Sequence, residues 1–232
     1  MQAALNYVTK SPARFIDHTL LKADCTEAEI AVLCEEAVEL GFASVCIPPC
    51  HVARADKILY GSEVAVGTVV GFPLGTQTTE TKVFEARRAV DMGADEVDMV
   101  IRMDAARMAD FNFIHEEIRQ VVAATGAVAV KVIIECCLFD DDVKRRLTEV
   151  VALSGADYVK TSTGFAAAGA TVADVSLLAK TAAGRIRVKA AGGIRDWMTC
   201  QAMLAAGADR IGTSAGVFIV RQWQESAGLS CL

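Results

Sequence analysis

Gly155-Ala156-Asp157-Tyr158-Val159-Lys160 packs a helix stop, a tight turn and the start of a strand into one short run. Glycine supplies the left-handed conformation that ends a helix and that other residues resist. The β-prone pair Tyr158-Val159 then begins an extended segment. The same form recurs in Gly41-Phe42-Ala43-Ser44-Val45-Cys46, Gly93-Ala94-Asp95-Glu96-Val97-Asp98 and Gly207-Ala208-Asp209-Arg210-Ile211-Gly212. The copies lie 52, 62 and 52 residues apart, a distance that holds two β-α units.

Working outward, strand-like runs fall near 14–18, 43–47, 63–70, 96–101, 128–135, 158–161, 186–190 and 210–212, each followed by a helical pattern. Thr26-Glu27-Ala28-Glu29 and Thr171-Val172-Ala173-Asp174 read as helix-starting capping boxes. Asp140-Asp141-Asp142 places negative charge where a helix N-terminus favours it. Eight alternations in 232 residues predict an α/β fold, a single-domain (β/α)8 TIM barrel. A short extension over about 1–12 and a tail over about 222–232 would flank it. A doubly wound sheet is the structural alternative.

Composition agrees. Hydrophobic residues make up 53% and aromatics only 6%, which suits parallel strands buried under helices. The net charge of -6 argues against nucleic acid or an anionic membrane as partner. Eight cysteines carry no Cys-x-x-Cys spacing, and with Cys34 in a helical pattern and Cys46 in a strand they read as reduced core cysteines. With no leader-like segment and no apolar run long enough to span a membrane, a soluble cytoplasmic protein is expected.

A barrel places chemistry at the C-terminal ends of its strands and in the loops that follow. Asp17, Cys46, Asp98, Lys131, Glu135, Lys160 and Lys189 stand at or near those ends. A buried lysine loses its proton more readily, and a free amine is a nucleophile. Lys160 and Lys189, each beside a glycine-rich loop, point to imine chemistry; either alone could equally be half of an internal salt bridge. Lys131 is the rival lysine: its earlier place in the strand reads as an interior cation paired with a carboxylate, while pattern alone also leaves it open as the nucleophile. Asp98 is either a structural ion-pair partner or a proton relay. Cys46 reads as a buried apolar thiol, since no His-Asp arrangement accompanies it. Ala191-Gly192-Gly193-Ile194-Arg195-Asp196 and Gly212-Thr213-Ser214-Ala215-Gly216 follow strands seven and eight, where barrels bind phosphate on exposed amides and a helix N-terminus.

These residues carry a family resemblance. Ile16-Asp17-His18-Thr19-Leu20-Leu21, Val69-Val70-Gly71-Phe72-Pro73-Leu74-Gly75, Glu96-Val97-Asp98-Met99-Val100-Ile101, Lys131-Val132-Ile133-Ile134-Glu135, Val159-Lys160-Thr161-Ser162-Thr163-Gly164-Phe165 and Lys189-Ala190-Ala191-Gly192-Gly193-Ile194-Arg195 resemble, in content and order, the deoxyribose-phosphate aldolases. The resemblance implies a class I aldolase that needs no metal or other cofactor. Such enzymes reversibly cleave 2-deoxy-D-ribose 5-phosphate to D-glyceraldehyde 3-phosphate and acetaldehyde. It implies Lys160 as the Schiff-base nucleophile, Lys189 as the group that lowers its pKa and joins proton transfer, and Asp98 as the proton relay. Asp17 would support that polar network. Cys46, Thr161, Gly164, Gly192, Gly193, Gly212 and Ser214 would bind substrate and its phosphate. A homodimer or homotetramer is the expected assembly.

Three positions depart from the family pattern. Ile47-Pro48-Pro49 stands where Val-Asn-Pro is frequent, Arg102 where Asn is common, and Gln77 where Asn is frequent. They bear on which acceptor the pocket takes. The terminal Ser230-Cys231-Leu232 also lacks the final tyrosine of some members. Two other readings fit the residue pattern: a different phosphosugar Schiff-base aldolase, and a phosphate-binding isomerase using Asp17 and Asp98 without a covalent intermediate.

Overall fold

The computed structural model describes residues 11–229; Cys231 and most of the expected N-terminal extension lie outside that range. Eight strands close into an all-parallel barrel in chain order. They are β1 (Ile16–Thr19), β2 (Ser44–Ile47), β3 (Ala65–Val70), β4 (Glu96–Val100), β5 (Ala129–Ile133), β6 (Tyr158–Lys160), β7 (Arg187–Ala191) and β8 (Arg210–Thr213). Around them lie α1 (Glu27–Leu40), α2 (Val52–Leu59), α3 (Thr79–Asp91), a short α4 (Met103–Arg107), α5 (Phe111–Thr125), α6 (Asp141–Leu153), α7 (Val172–Ala182), α8 (Trp197–Ala205) and α9 (Gly216–Ser226).

The repeated segment works as a clasp between neighbouring strands. Gly41, Gly93, Gly155 and Gly207 all have positive φ, so each helix is turned directly into the next strand. In three copies an aspartate follows. Asp95, Asp157 and Asp209 each accept the backbone N–H of the preceding strand, from Val66, Val130 and Val188 at 2.8, 2.9 and 2.8 Å. Their own amides donate back to the carbonyls of those same residues. A two-point bond to one residue leaves no slack for a register slip. The first capping box forms as expected, the Thr26 hydroxyl accepting from Glu29 N–H and the Glu29 carboxylate accepting from Thr26 N–H. Thr171 caps α7 through Asp174 N–H, but the Asp174 carboxylate accepts from the Thr171 hydroxyl and does not complete the box.

Strand alternation separates the two sides of the wall. Val97, Met99, Val130, Val132, Val159, Val188 and Ala190 pack outward into the aliphatic layer under the helices. The residues between them, including Asp98, Lys131, Lys160 and Lys189, are buried polar groups inside the barrel.

Several boundaries differ from expectation. The first strand begins at Ile16, because Pro12–Phe15 forms a 3₁₀ turn: Pro12 suits a first helical position and Ser11 Oγ accepts Ala13 N–H. The third begins at Ala65, and the fifth ends at Ile133, with Glu135 in the left-handed region (φ 51°). The expected tail at 222–232 starts later, since α9 continues through Gln222 to Ser226 and packs Trp223 into the core. Among the described residues no helix is long and apolar enough to cross a membrane. The seven described cysteines are free thiols.

Candidate active site

Two strands carry polar residues two positions apart, and the period of two sends both members into the barrel. They are Glu96 and Asp98 on β4 and Tyr158 and Lys160 on β6; on β7 Lys189 follows the exposed Arg187, and on β8 Arg210 is followed two positions on by Gly212. Gly212 is there because its neighbour needs the room: a Cβ at this position would lie 3.0 Å from Lys189 Cε. Lys160 and Lys189 are register partners across β6 and β7.

The charged groups meet on one carboxylate. Lys160 Nζ and Lys189 Nζ both donate to Asp98 Oδ2 at 2.7 Å, while Lys131 Nζ reaches Asp98 Oδ1 at 3.2 Å. Lys189 also pairs with Asp17 Oδ2 at 2.5 Å, and Arg210 Nη1 donates to Asp17 Oδ1 at 2.6 Å. Lys131 holds Glu96 at 2.6 Å, as its early place in the strand suggested. Buried ion pairs are tolerated when each charge finds partners, and these do.

The lysines are not equivalent. Burial lowers the Lys160 pKa, Lys189 pushes it further down, and Asp98 opposes only in part. Lys189 also suffers burial, but Asp17 and Asp98 outweigh it and hold its pKa above the usual lysine value. For Lys131, Asp98 and Asp17 overcome burial in the same way. The same cations hold Asp17 and Asp98 below the ordinary carboxylate range against the opposing effect of burial. Lys160 is therefore the lysine of the cluster that most readily becomes a free amine.

Lys160 also forms the floor of a cavity of about 230 Å³ at the C-terminal mouth of the barrel. Gly164, Gly192, Gly193, Gly212 and Ser214 line it, so the two glycine loops and the segment after Lys160 do converge. The helix that follows, α9, starts at Ala215 with no side-chain cap, leaving its first amides open toward an anion.

Two expected wall residues sit elsewhere. Thr161 is fully buried, and its hydroxyl bridges Ala191 O and Ala191 N–H, so it ties the end of β6 to β7. Cys46 is buried close enough to the cluster to feel Asp98 and Lys189, and burial raises its thiol pKa. Neither lines the cavity. Arg102 is likewise held outside, bidentate on Asp104 at 2.6 Å and stacked over Phe113.

Other contributors went unassigned in the sequence. Lys22, Thr163 and Arg195 line the cavity; Arg195 directly follows the Gly192-Gly193-Ile194 turn, which is the signal that could have found it. Thr163 is fixed by Glu135, whose carboxylate accepts the Thr163 hydroxyl at 2.5 Å and its amide at 3.2 Å. Glu96 and Arg210 complete the charged cluster from below.

Comparison with known proteins agrees with this architecture. The model of the DeoC/LacD family aldolases matches residues 13–226. A deoxyribose-phosphate aldolase of Syntrophotalea carbinolica is 56% identical over 220 residues, covering 95% of this chain and 100% of that protein. One from a Geobacillus species is 54% identical over 209 residues, covering 90% of this chain and 94% of that protein. The tetrameric deoxyribose phosphate aldolase structure from Aeropyrum pernix superposes with a TM-score of 0.90 at 32% identity, covering 97% of both chains. From the first turn of the barrel to its last helix, the chain belongs to the DeoC/LacD family of aldolases.

Proposed function

We propose that this chain is a class I deoxyribose-phosphate aldolase in which Lys160 forms the Schiff base. The observation that carries the reading is that Lys160, the cavity floor, is also the cluster lysine whose pKa is driven down. The sequence relatives carry the same activity name across nearly their whole length.

The neutral Lys160 amine adds to the C1 aldehyde of the open-chain sugar, and the carbinolamine loses water to give an iminium. The C3 hydroxyl then loses its proton, the C2–C3 bond breaks, and its electron pair moves into the iminium to form an enamine. Glyceraldehyde 3-phosphate leaves. Protonation of the enamine carbon and hydrolysis release acetaldehyde and restore the amine. Asp98 and Lys189, both bonded to each other and next to Lys160, are the groups to pass these protons, with a water completing the reach. Asp17 holds Lys189 in place. Gly164, Gly192, Gly193, Gly212 and Ser214, with the open end of α9, take the phosphate. Noncovalent acid–base isomerisation fits less well, because it gives Lys160, which lines the cavity with its pKa driven down, no role.

Borohydride reduction in the presence of acetaldehyde, followed by peptide mapping, should place a reduced two-carbon adduct on Lys160. An adduct on Lys131 alone, or none, overturns the assignment. A cytoplasmic location suits the free thiols. A homodimer or homotetramer is also part of the reading, supported by the tetramer named for the Aeropyrum pernix structure and checked by light scattering.

A further inference from the structure

The ion pairs around Asp98 do not balance. Three carboxylates take part: Asp17 from β1, and Glu96 and Asp98 from β4. Four cations face them: Lys131 from β5, Lys160 from β6, Lys189 from β7 and Arg210 from β8. Their side chains are at most 13% exposed, so water does little to screen the excess. β2 adds the Cys46 thiol and β6 the Tyr158 hydroxyl, which accepts from Arg210 Nη2 at 3.3 Å; β3 adds no titratable group. Arg187 stacks on Tyr158 but pairs with Asp157 outside the cluster.

A group of charges in a poorly screened interior favours neutrality, so one cation should give up its proton. Arginine cannot. Lys131 has three carboxylate partners and Lys189 has two, whereas Lys160 has only a shared oxygen of Asp98. The surplus proton therefore leaves from Lys160. Which lysine loses it is decided at the top of the network. Whether any must lose it is decided at the bottom, by Arg210 and Glu96, the first residues of β8 and β4. Neither reaches Lys160 or lines the cavity.

We propose that Arg210 and Glu96 are positioning residues that keep Lys160 unprotonated by fixing the charge balance of this network from the opposite end of the barrel. This rests on Lys160 being the imine nucleophile. Removing Arg210 leaves three carboxylates against three cations, so Lys160 keeps its proton. Removing Glu96 leaves two against four and drives the proton off more strongly. Removing both restores a surplus of one.

The test is the acid limb of kcat/KM for sugar cleavage, and of the rate at which acetaldehyde is trapped on Lys160 with cyanoborohydride. Arg210→Met should move that limb to higher pH by about one unit, and Glu96→Gln to lower pH by a similar amount. The double variant should return to within about 0.3 units of wild type, and Arg210→Lys should not move it. A purely structural role predicts losses that add, with the limb unmoved in every variant; that result overturns the proposal. Should Arg210→Met fail to fold, the opposite shift in Glu96→Gln decides alone, and its absence overturns the idea. A Lys160 adduct in wild type with unmoved limbs sinks this inference only, whereas no adduct in wild type sinks it together with the assignment of Lys160.

Discussion

Lys160 and Lys189 stand opposite each other on adjacent strands and share one oxygen, Oδ2 of Asp98, at 2.7 Å each. Their difference comes from the second carboxylate: Lys189 also has Asp17, and Lys160 has none. One lysine is thereby fixed as an ammonium while its neighbour can serve as a free amine. Two lysines of the same type on paired strands acquire different chemistry from a single contact.

Lys160→Met should abolish the cleavage, by about a thousandfold or more, since it removes the amine proposed to form the imine. Its stability should be unchanged or raised by about 1 kcal/mol, because a buried polar amine is replaced by an apolar side chain of similar length. Lys131→Met should behave oppositely in stability. It strips partners from Glu96 and Asp98 and should cost about 3–5 kcal/mol. Urea unfolding of the two proteins checks the contrast; equal losses would contradict it.

Stability should fall on the acid side for a definable reason. Asp17 and Asp98 have folded pKa values far below the ordinary 3.8, so the unfolded chain binds protons first as pH drops. Their contribution is complete above about pH 5 and is lost progressively below about 4. Asp17→Asn should have a lower urea midpoint at neutral pH and a shallower decline between about pH 4 and 2. A decline as steep as wild type would assign acid unfolding to other groups.

The Glu135–Thr163 bond should govern substrate affinity. Glu135 is buried in a left-handed conformation, and its carboxylate holds the loop that carries Thr163 and Gly164 into the cavity. Thr163→Val should cost about 1–3 kcal/mol of stability by removing the short hydroxyl bond and leaving the buried carboxylate only the longer contacts from the Thr163 amide. KM for the phosphorylated sugar should rise more than kcat falls. Steady-state kinetics with deoxyribose 5-phosphate and with unphosphorylated deoxyribose separate the two effects: the unphosphorylated substrate should be nearly indifferent.

Ser214→Ala should show the same split through a different contact. The residue lines the cavity beside the open end of α9, and losing one hydroxyl to an anion corresponds to roughly a tenfold rise in KM. Inorganic phosphate should inhibit this variant more weakly than wild type. Unchanged inhibition would place the phosphate elsewhere.

Arg102→Asn should leave kcat/KM within about twofold of wild type, because surface changes away from a site have small effects. The guanidinium is engaged by Asp104 and Phe113, not by the cavity. A shifted acceptor preference, measured with a panel of aldehydes, would show that the side chain swings inward during turnover.

The barrel was legible in the sequence because its signals are local. A glycine stop, a short turn and an alternating strand are written within a few residues, and repeating them sets the number of units and the mouth where chemistry collects. Lys160, Lys189 and the glycine loops could be named on that basis. The surroundings of single residues were harder to read where local signals compete. Thr161 shares the strand end of Lys160 but is spent bridging Ala191. The run through Glu135 looks extended until its backbone turns left-handed. The charge network was beyond reach for a different reason. Asp98 and Lys189 are 91 residues apart in sequence, and Asp17 and Arg210 are 193 apart. Protonation depends on the sum of charges around a group and on the water excluded from it, and closure of the barrel sets both. Sequence determined which residues could do the chemistry; tertiary structure decided which lysine is pushed toward the free amine.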